Sequence, residues 1–183
     1  MGLDISVITK WGAPDGALNE EFVDQNGDPA WGEGGYDWNI PEYLTRSAGL
    51  PEGPVIIVEQ GEGFSAGPYS YYNRWRNYLA KLAGYPELTE PEPAEARYFP
   101  PRTGHDVGAW MADDGPFWEL INFSDCEGFL GPAVCKKLIM DFDEFASQAK
   151  AFSADTVDFP KLYESFHQAI KEVVASNGAL HFN

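Results

Sequence analysis

The run Asn122-Phe123-Ser124-Asp125-Cys126-Glu127 sets an amide, a hydroxyl, two carboxylates and a thiol at the end of an apolar stretch. Loops that leave rigid elements are where chemistry concentrates. Asp125 and Glu127 could act as an acid–base pair, and Cys126 could be a nucleophile if a histidine reached it. The chain has three histidines, His105, His167 and His181. His105 lies beside Asp106 in a glycine-flanked loop and is the candidate partner, whereas His167 neighbours an apolar helical stripe and reads as packing. The competing reading is a hydrogen-bonded turn. Ser124 and Glu127 have capping-box spacing, but Gly128 and Pro132 limit any helix started there to one turn. No HxxxH, HExxH or GxSxG occurs, so no known catalytic order is written in the chain. Cys126 and Cys135 fit neither a zinc knuckle nor a CxxC pair, and no metal or cofactor is expected.

Two other segments invite comparison with known chemistry. Gly61-Glu62-Gly63-Phe64-Ser65-Ala66-Gly67 follows an apolar run and precedes a helical pattern, the context of a phosphate-binding loop. Its glycine spacing is wrong, Glu62 would repel a phosphate, and a flexible turn from strand to helix is the simpler reading. Asp24-Gln25-Asn26-Gly27-Asp28 begins like a calcium loop, but Pro29 and Gly35 stand where glycine and glutamate are needed.

One stretch departs from the acidity of the rest. Between Gly63 and Pro86 there is no carboxylate, while Arg74, Arg76 and Lys81 are present. Tyr71, Arg74, Tyr78 and Lys81 share a helical stripe that suits partner contact or stacking, with Arg74 and Tyr78 the binding candidates. Intramolecular packing of the tyrosines is the competing reading. Asn122 and Ser124 complete the set of binding candidates.

The elements that must position these groups follow from periodicity. Residues 3–9 are β-branched and alternate, so they predict a strand with Leu3, Ile5 and Val7 on one face. Residues 54–59 form a continuous apolar run that predicts a buried central strand, and 117–123 a further apolar strand. Helices are predicted near 69–83, 132–152 and 159–176. Their stripes include Tyr72, Trp75 and Leu79, then Val134, Leu138 and Phe142, then Phe159, Leu162, Phe166, Ile170 and Val173. Pro41 to Ala48 reads as a short helix stopped by Gly49. Residues 86–101 hold five of the 14 prolines and read as a Pro-rich loop. The expected fold is α+β: a single, loop-rich domain over 1–183, with a small mixed sheet packed by about three main helices.

Charge narrows the function classes. With 29 acidic and 12 basic residues the formal net charge is −17, so the basic footprint of direct nucleic-acid binding is absent. No run of about 20 apolar residues predicts a membrane span. The opening MGLDISVITKWG lacks the pattern of a signal peptide, and a cytoplasmic setting with unbridged cysteines is expected.

The words MGLDI, GPYSYYNRWRNYLAKLAGY at 67–85 and GPFWELINFSDCEGFLGPAVCKKL at 115–138 resemble a family of uncharacterised bacterial and phage proteins. They cover under a third of the chain. The resemblance implies a cytoplasmic bacterial or prophage setting and no particular activity. Two function classes follow. One is a non-enzymatic binding protein that meets a protein or small-molecule partner through the Arg74 and Tyr78 face or its acidic surface. The alternative is a small, hydrolase-like enzyme using the 122–127 turn with His105.

Asp125→Asn separates the two readings of that turn. A structural carboxylate gives a stability loss of about 1–3 kcal/mol in urea unfolding, and a functional one leaves stability unchanged but abolishes ligand binding. If Asp125→Ala alters neither, the turn is a solvated connection.

Overall fold

A computed structural model of the protein describes residues 2–12, 35–37, 46, 48–50, 54–86, 115–121 and 128–183. Its architecture grows from the N-terminal strand. β1 (Gly2–Gly12) buries Leu3, Ile5 and Val7 on one face, as their alternation requires. One edge of β1 is lined by β3 (Pro54–Gln60) and then β4 (Phe64–Pro68). The register runs without reversal, from Gly12 opposite Ile56 to Ile8 opposite Gln60, and from Ile5 opposite Phe64 to Gly2 opposite Pro68. β3 and β4 are therefore one long line broken at 61–63, where the Gly61 amide still donates to the Val7 carbonyl at 2.8 Å. The other edge of β1 carries β6 (Ala179–Phe182), which in turn pairs with β5 (Gly128–Leu130). β2 (Gly35–Asp37) pairs with the start of β3.

Among the described residues the sheet has six strands, in the order β2-β3-β1-β6-β5 with β4 also on β1. The class is α+β as expected. Every pairing is antiparallel, where a mixed sheet was expected, because no helical crossover joins neighbouring strands in the same direction.

Three main helices stand where the stripes predict them: α1 (Tyr69–Leu82), α3 (Pro132–Ala151) and α4 (Phe159–Ser176). They bring an aromatic cluster to the face of Leu3, Ile5 and Val7. Trp75 stacks on Phe166 with ring centroids 4.7 Å apart, and Phe117 meets Phe142 edge-on at 5.0 Å. α4 opens on Asp158, whose side chain accepts from the Lys161 amide at 3.2 Å, and closes on Asn177 in the left-handed region. A smaller cluster of Ile8 and Ala179, with Leu50, Ile57 and Phe129 against it, occupies the opposite face of the sheet.

One predicted strand is a helix. Residues 118–121 form α2 (Trp118–Ile121), preceded by Phe117 at φ 57°. The amides of Leu120 and Ile121 both donate to the Phe117 carbonyl. A short apolar run carries no period that separates a buried strand from a buried helical turn, and Gly115-Pro116 starts a turn here instead of extended chain. Of the expected helix at 41–48, Arg46 and Ala48 lie in turns, Gly49 has φ 92°, and 41–45 lie outside the described residues. Of the expected loop 86–101, residues 87–101 lie outside them too, as does the segment 24–28. Cys135 is a buried free thiol, and Cys126 lies outside the described residues.

Two glycines give a direct test of the β1 pairings. A Cβ at Gly178 would overlap the Ile8 carbonyl oxygen, which belongs to the β1–β6 ladder and cannot move freely. A Cβ at Gly61 would overlap the Glu172 carboxylate, the far end of a flexible side chain, and sit 3.1 Å from the Thr9 methyl, with no backbone atom among these neighbours. Urea unfolding should show Gly178→Ala losing about 2–3 kcal/mol and Gly61→Ala less than about 1 kcal/mol. Equal losses would mean that close approach to β1 does not limit the fold.

Candidate functional site

At the break between β3 and β4, residues 61–63 leave the strand pairing but stay close to β1, and Phe64 rejoins it opposite Ile5. Gly63 fits there because it has no side chain: a Cβ would lie 2.6 Å from the Ile5 carbonyl oxygen. α4 buries Phe159, Leu162, Phe166, Ile170 and Val173 against the core. Beside that stripe runs a second one of Lys161, Glu164, Ser165, Gln168 and Glu172, at the i, i+3, i+4, i+7 and i+11 positions that share a helix face. Between this stripe and Glu62, Gly63 and Phe64 lies an open groove of about 510 Å³. Phe64 and Ala169 supply its apolar floor, with Phe64 held edge-on to Phe166 at 4.9 Å.

The groove is electrically lopsided. Glu62, Glu164 and Glu172 face one cation, Lys161. Among the described residues none of the four lies within ion-pair distance of another charged group. Lys161 sits near the start of α4 and Glu172 three turns further on, a rise of about 16 Å. Glu172 is the carboxylate that lies against Gly61, so one end of the groove is acidic from both walls.

The glycine segment 61–67 thus has a structural explanation. It breaks a strand and does not open a helix: α1 starts at Tyr69, behind Pro68. Glu62, which argues against phosphate in the sequence, is a groove wall.

The stripe of α1 divides in two. Arg74 is exposed, its Nε donating to the Ser70 carbonyl at 3.2 Å, and Lys81 is exposed one face-repeat later. Tyr78 is half-buried and packs edge-on against Phe152 and Phe159 at 5.8 and 6.5 Å. The Asp158 amide donates to the Tyr71 hydroxyl at 2.6 Å. Both tyrosines therefore brace the connection from α3 to α4. Arg76 is buried under the Tyr72 ring and donates to Asn73.

The other candidates, His105, Asn122, Ser124, Asp125, Cys126 and Glu127, lie outside the described residues. The segment leading to 122 is pinned. Lys137 Nζ donates to Glu119 at 2.7 Å and to the Gly115 carbonyl at 2.9 Å. Asp141 accepts from the Phe117 amide at 2.9 Å and holds that left-handed residue in place. Burial raises the Asp141 carboxyl above the usual range, against the Phe117 bond and Lys137, which lower it.

His167 meets Asp143 at 2.8 Å and stacks on Phe142, in keeping with a packing role. His181 lies buried in β6 with its ring stacked on Phe129 at 4.3 Å, and burial pushes its pKa down to about 4. Sequence reasoning missed the groove because its charges come from two distant segments. The polar stripe of α4 is legible in its spacing, but the wall opposite depends on a strand break.

Compared with protein families, with curated proteins and with solved structures, the chain matches none. Among the described residues no group of three or more His, Cys, Asp or Glu could hold a metal ion, and no helix is long and apolar enough to cross a membrane.

His181 makes stability depend on pH. Its folded pKa lies below the ordinary 6.5, so the unfolded chain takes up the proton first as pH falls. The stability it contributes is full above about 6.5 and is lost on acidification towards about 4. Asp141, whose pKa is raised, acts with the opposite sign and favours the fold on protonation. Urea unfolding at intervals between pH 7 and 4 should show a decline that His181→Phe, which keeps a ring against Phe129, flattens. An unchanged slope in that variant would remove His181 as its source.

Proposed function

We propose that this protein is a non-enzymatic binding protein that accepts a basic segment of a partner in the groove between residues 62–64 and α4. The observation that carries the reading is the groove itself: about 510 Å³, open, with an apolar floor and three glutamates to one lysine. A chain of net charge −17 already draws basic partners by its field. A concave site with uncompensated carboxylates adds a place for them to stop, because an arriving cation exchanges water for a charge-assisted hydrogen bond. The apolar floor of Phe64 and Ala169 suits the methylene stem of a lysine or arginine. We further propose a bacterial or prophage cytoplasm as the setting of this binding, which is what the resemblance of residues 67–85 and 115–138 implies.

The test uses a fluorescein-labelled, end-capped heptapeptide with lysine at positions 2 and 4, glutamine at position 6 and uncharged residues elsewhere. Fluorescence anisotropy at about 0.15 M salt, where screening acts beyond about 8 Å, suppresses the general field. The double variant Glu164→Gln with Glu172→Gln should weaken binding about fivefold. The control pair Glu144→Gln with Asp155→Asn removes the same charge from exposed sites elsewhere and should change it less than twofold. Equal effects of the two pairs, or no binding to the parent protein, would overturn the proposal.

A further inference from the structure

We infer that the groove reads charge order: its occupant is an extended segment with basic residues towards the Glu62 and Glu172 end and an acidic residue at the Lys161 end. The inference rests on the groove reading above and adds to it the one cation that a general site for basic partners would not contain.

Lys161, Glu164 and Glu172 lie on one face of α4, so their order along the groove is fixed by the helix. Lys161 and Glu164 are one turn apart and do not pair with each other. The Glu172 carboxylate lies against Gly61, and Glu62, the next residue, brings the opposite wall's carboxylate into the groove from there. An occupant that is basic throughout would bring a cation against Lys161. An acidic residue there forms an ion pair instead and relieves that repulsion.

The dimensions fit extended chain. In an extended segment, residues i, i+2 and i+4 project to one side, and i and i+4 lie about 13 Å apart. The stripe from Lys161 to Glu172 rises about 16 Å. The difference is within the reach of lysine and glutamate side chains on both partners. A short linear polyamine has no group for Lys161 and is excluded by the same argument.

Three heptapeptides test this, all with lysine at positions 2 and 4, and with glutamate, glutamine or lysine at position 6. Attraction to a protein of net charge −17 alone ranks them lysine, glutamine, glutamate, tightest first. Charge order in the groove ranks them in reverse, with the glutamate peptide about threefold tighter than the glutamine peptide. Lys161→Glu should restore the ranking by net charge, and Lys161→Gln should bring the glutamate and glutamine peptides within about twofold of each other. Both changes are on an exposed position of the first turns of α4, and an acidic residue there is favoured by the helix dipole, so folding is retained. A parent ranking that follows net charge overturns the inference while leaving the groove reading intact if the Glu164 and Glu172 pair still matters. If no peptide responds to that pair, or none binds, both fall together.

Discussion

β1 hydrogen-bonds along both of its edges, and most of the molecule is arranged around the closeness of those two contacts. On one side β3 and β4 follow it as a single line; on the other β6 returns at the end of the described chain. The Asp4 and Asn183 backbones exchange bonds of 2.8 and 3.0 Å, which seals the last strand against the first. Each close approach needs a residue without a side chain: Gly63 under the Ile5 carbonyl and Gly178 under that of Ile8. A strand paired on both sides cannot slip without moving Leu3, Ile5 and Val7 to the wrong face. That register fixes where the aromatic layer of α1, α3 and α4 must sit.

The groove is a by-product of the same constraint. Between the pairs Ile8–Gln60 and Ile5–Phe64, two residues of β1 stand opposite three, 61–63, and the one extra residue breaks the ladder, as in a bulge. α4, anchored by Phe166 and Ile170 in the core, then faces Glu62, Gly63 and Phe64 with a polar stripe it would otherwise present to water. The wall and the stripe are held by packing on both sides, with Phe64 serving the core through Phe166 and the groove floor at once. The shape of the groove depends on core packing through Phe64 and α4.

Much of this frame is legible in the sequence. β1 alternates and β3 runs apolar as strands do, although β3 is not the buried strand its run predicts: Val58 is 52% exposed and Glu59 and Gln60 are exposed. The three long helices show stripes at helical spacing, with Pro68, Pro132 and Asp158 at their starts and Gly84 and Asn177 after the first and the last. What is not legible has specific causes. β6 is four residues, all buried, too short to show a period. Phe117-Trp118-Glu119-Leu120-Ile121 is apolar enough for either state, and Asp141, 20 residues or more away in sequence, decides it by holding the Phe117 amide. The bulge at 61–63 resembles a phosphate loop because glycines serve close backbone approach in both cases. Tyr78 looks like a contact residue on α1 until Phe152 and Phe159 are placed beside it.

The distribution of cations explains why charge, and not shape alone, marks the groove. An acidic chain has few lysines with which to neutralise its carboxylates. Lys137 is used inside, between Glu119, Asp141 and the Gly115 carbonyl, where leaving a buried carboxylate alone would cost several kcal/mol. Lys10 meets Glu59 across β1 and β3 with both side chains exposed, a contact of about 1 kcal/mol at most. Lys161 stands in the groove with no carboxylate in reach among the described residues, although Glu164 is one turn away on the same helix. Among the described residues the lysine–carboxylate pairs hold 115–121 and the β1–β3 ladder, and the four groove charges have no charged partner. Charges without a protein partner in a concave, half-apolar site are ones a ligand engages without first breaking a bond between described residues, which is why binding is proposed in the groove and not on the braced tyrosine face of α1.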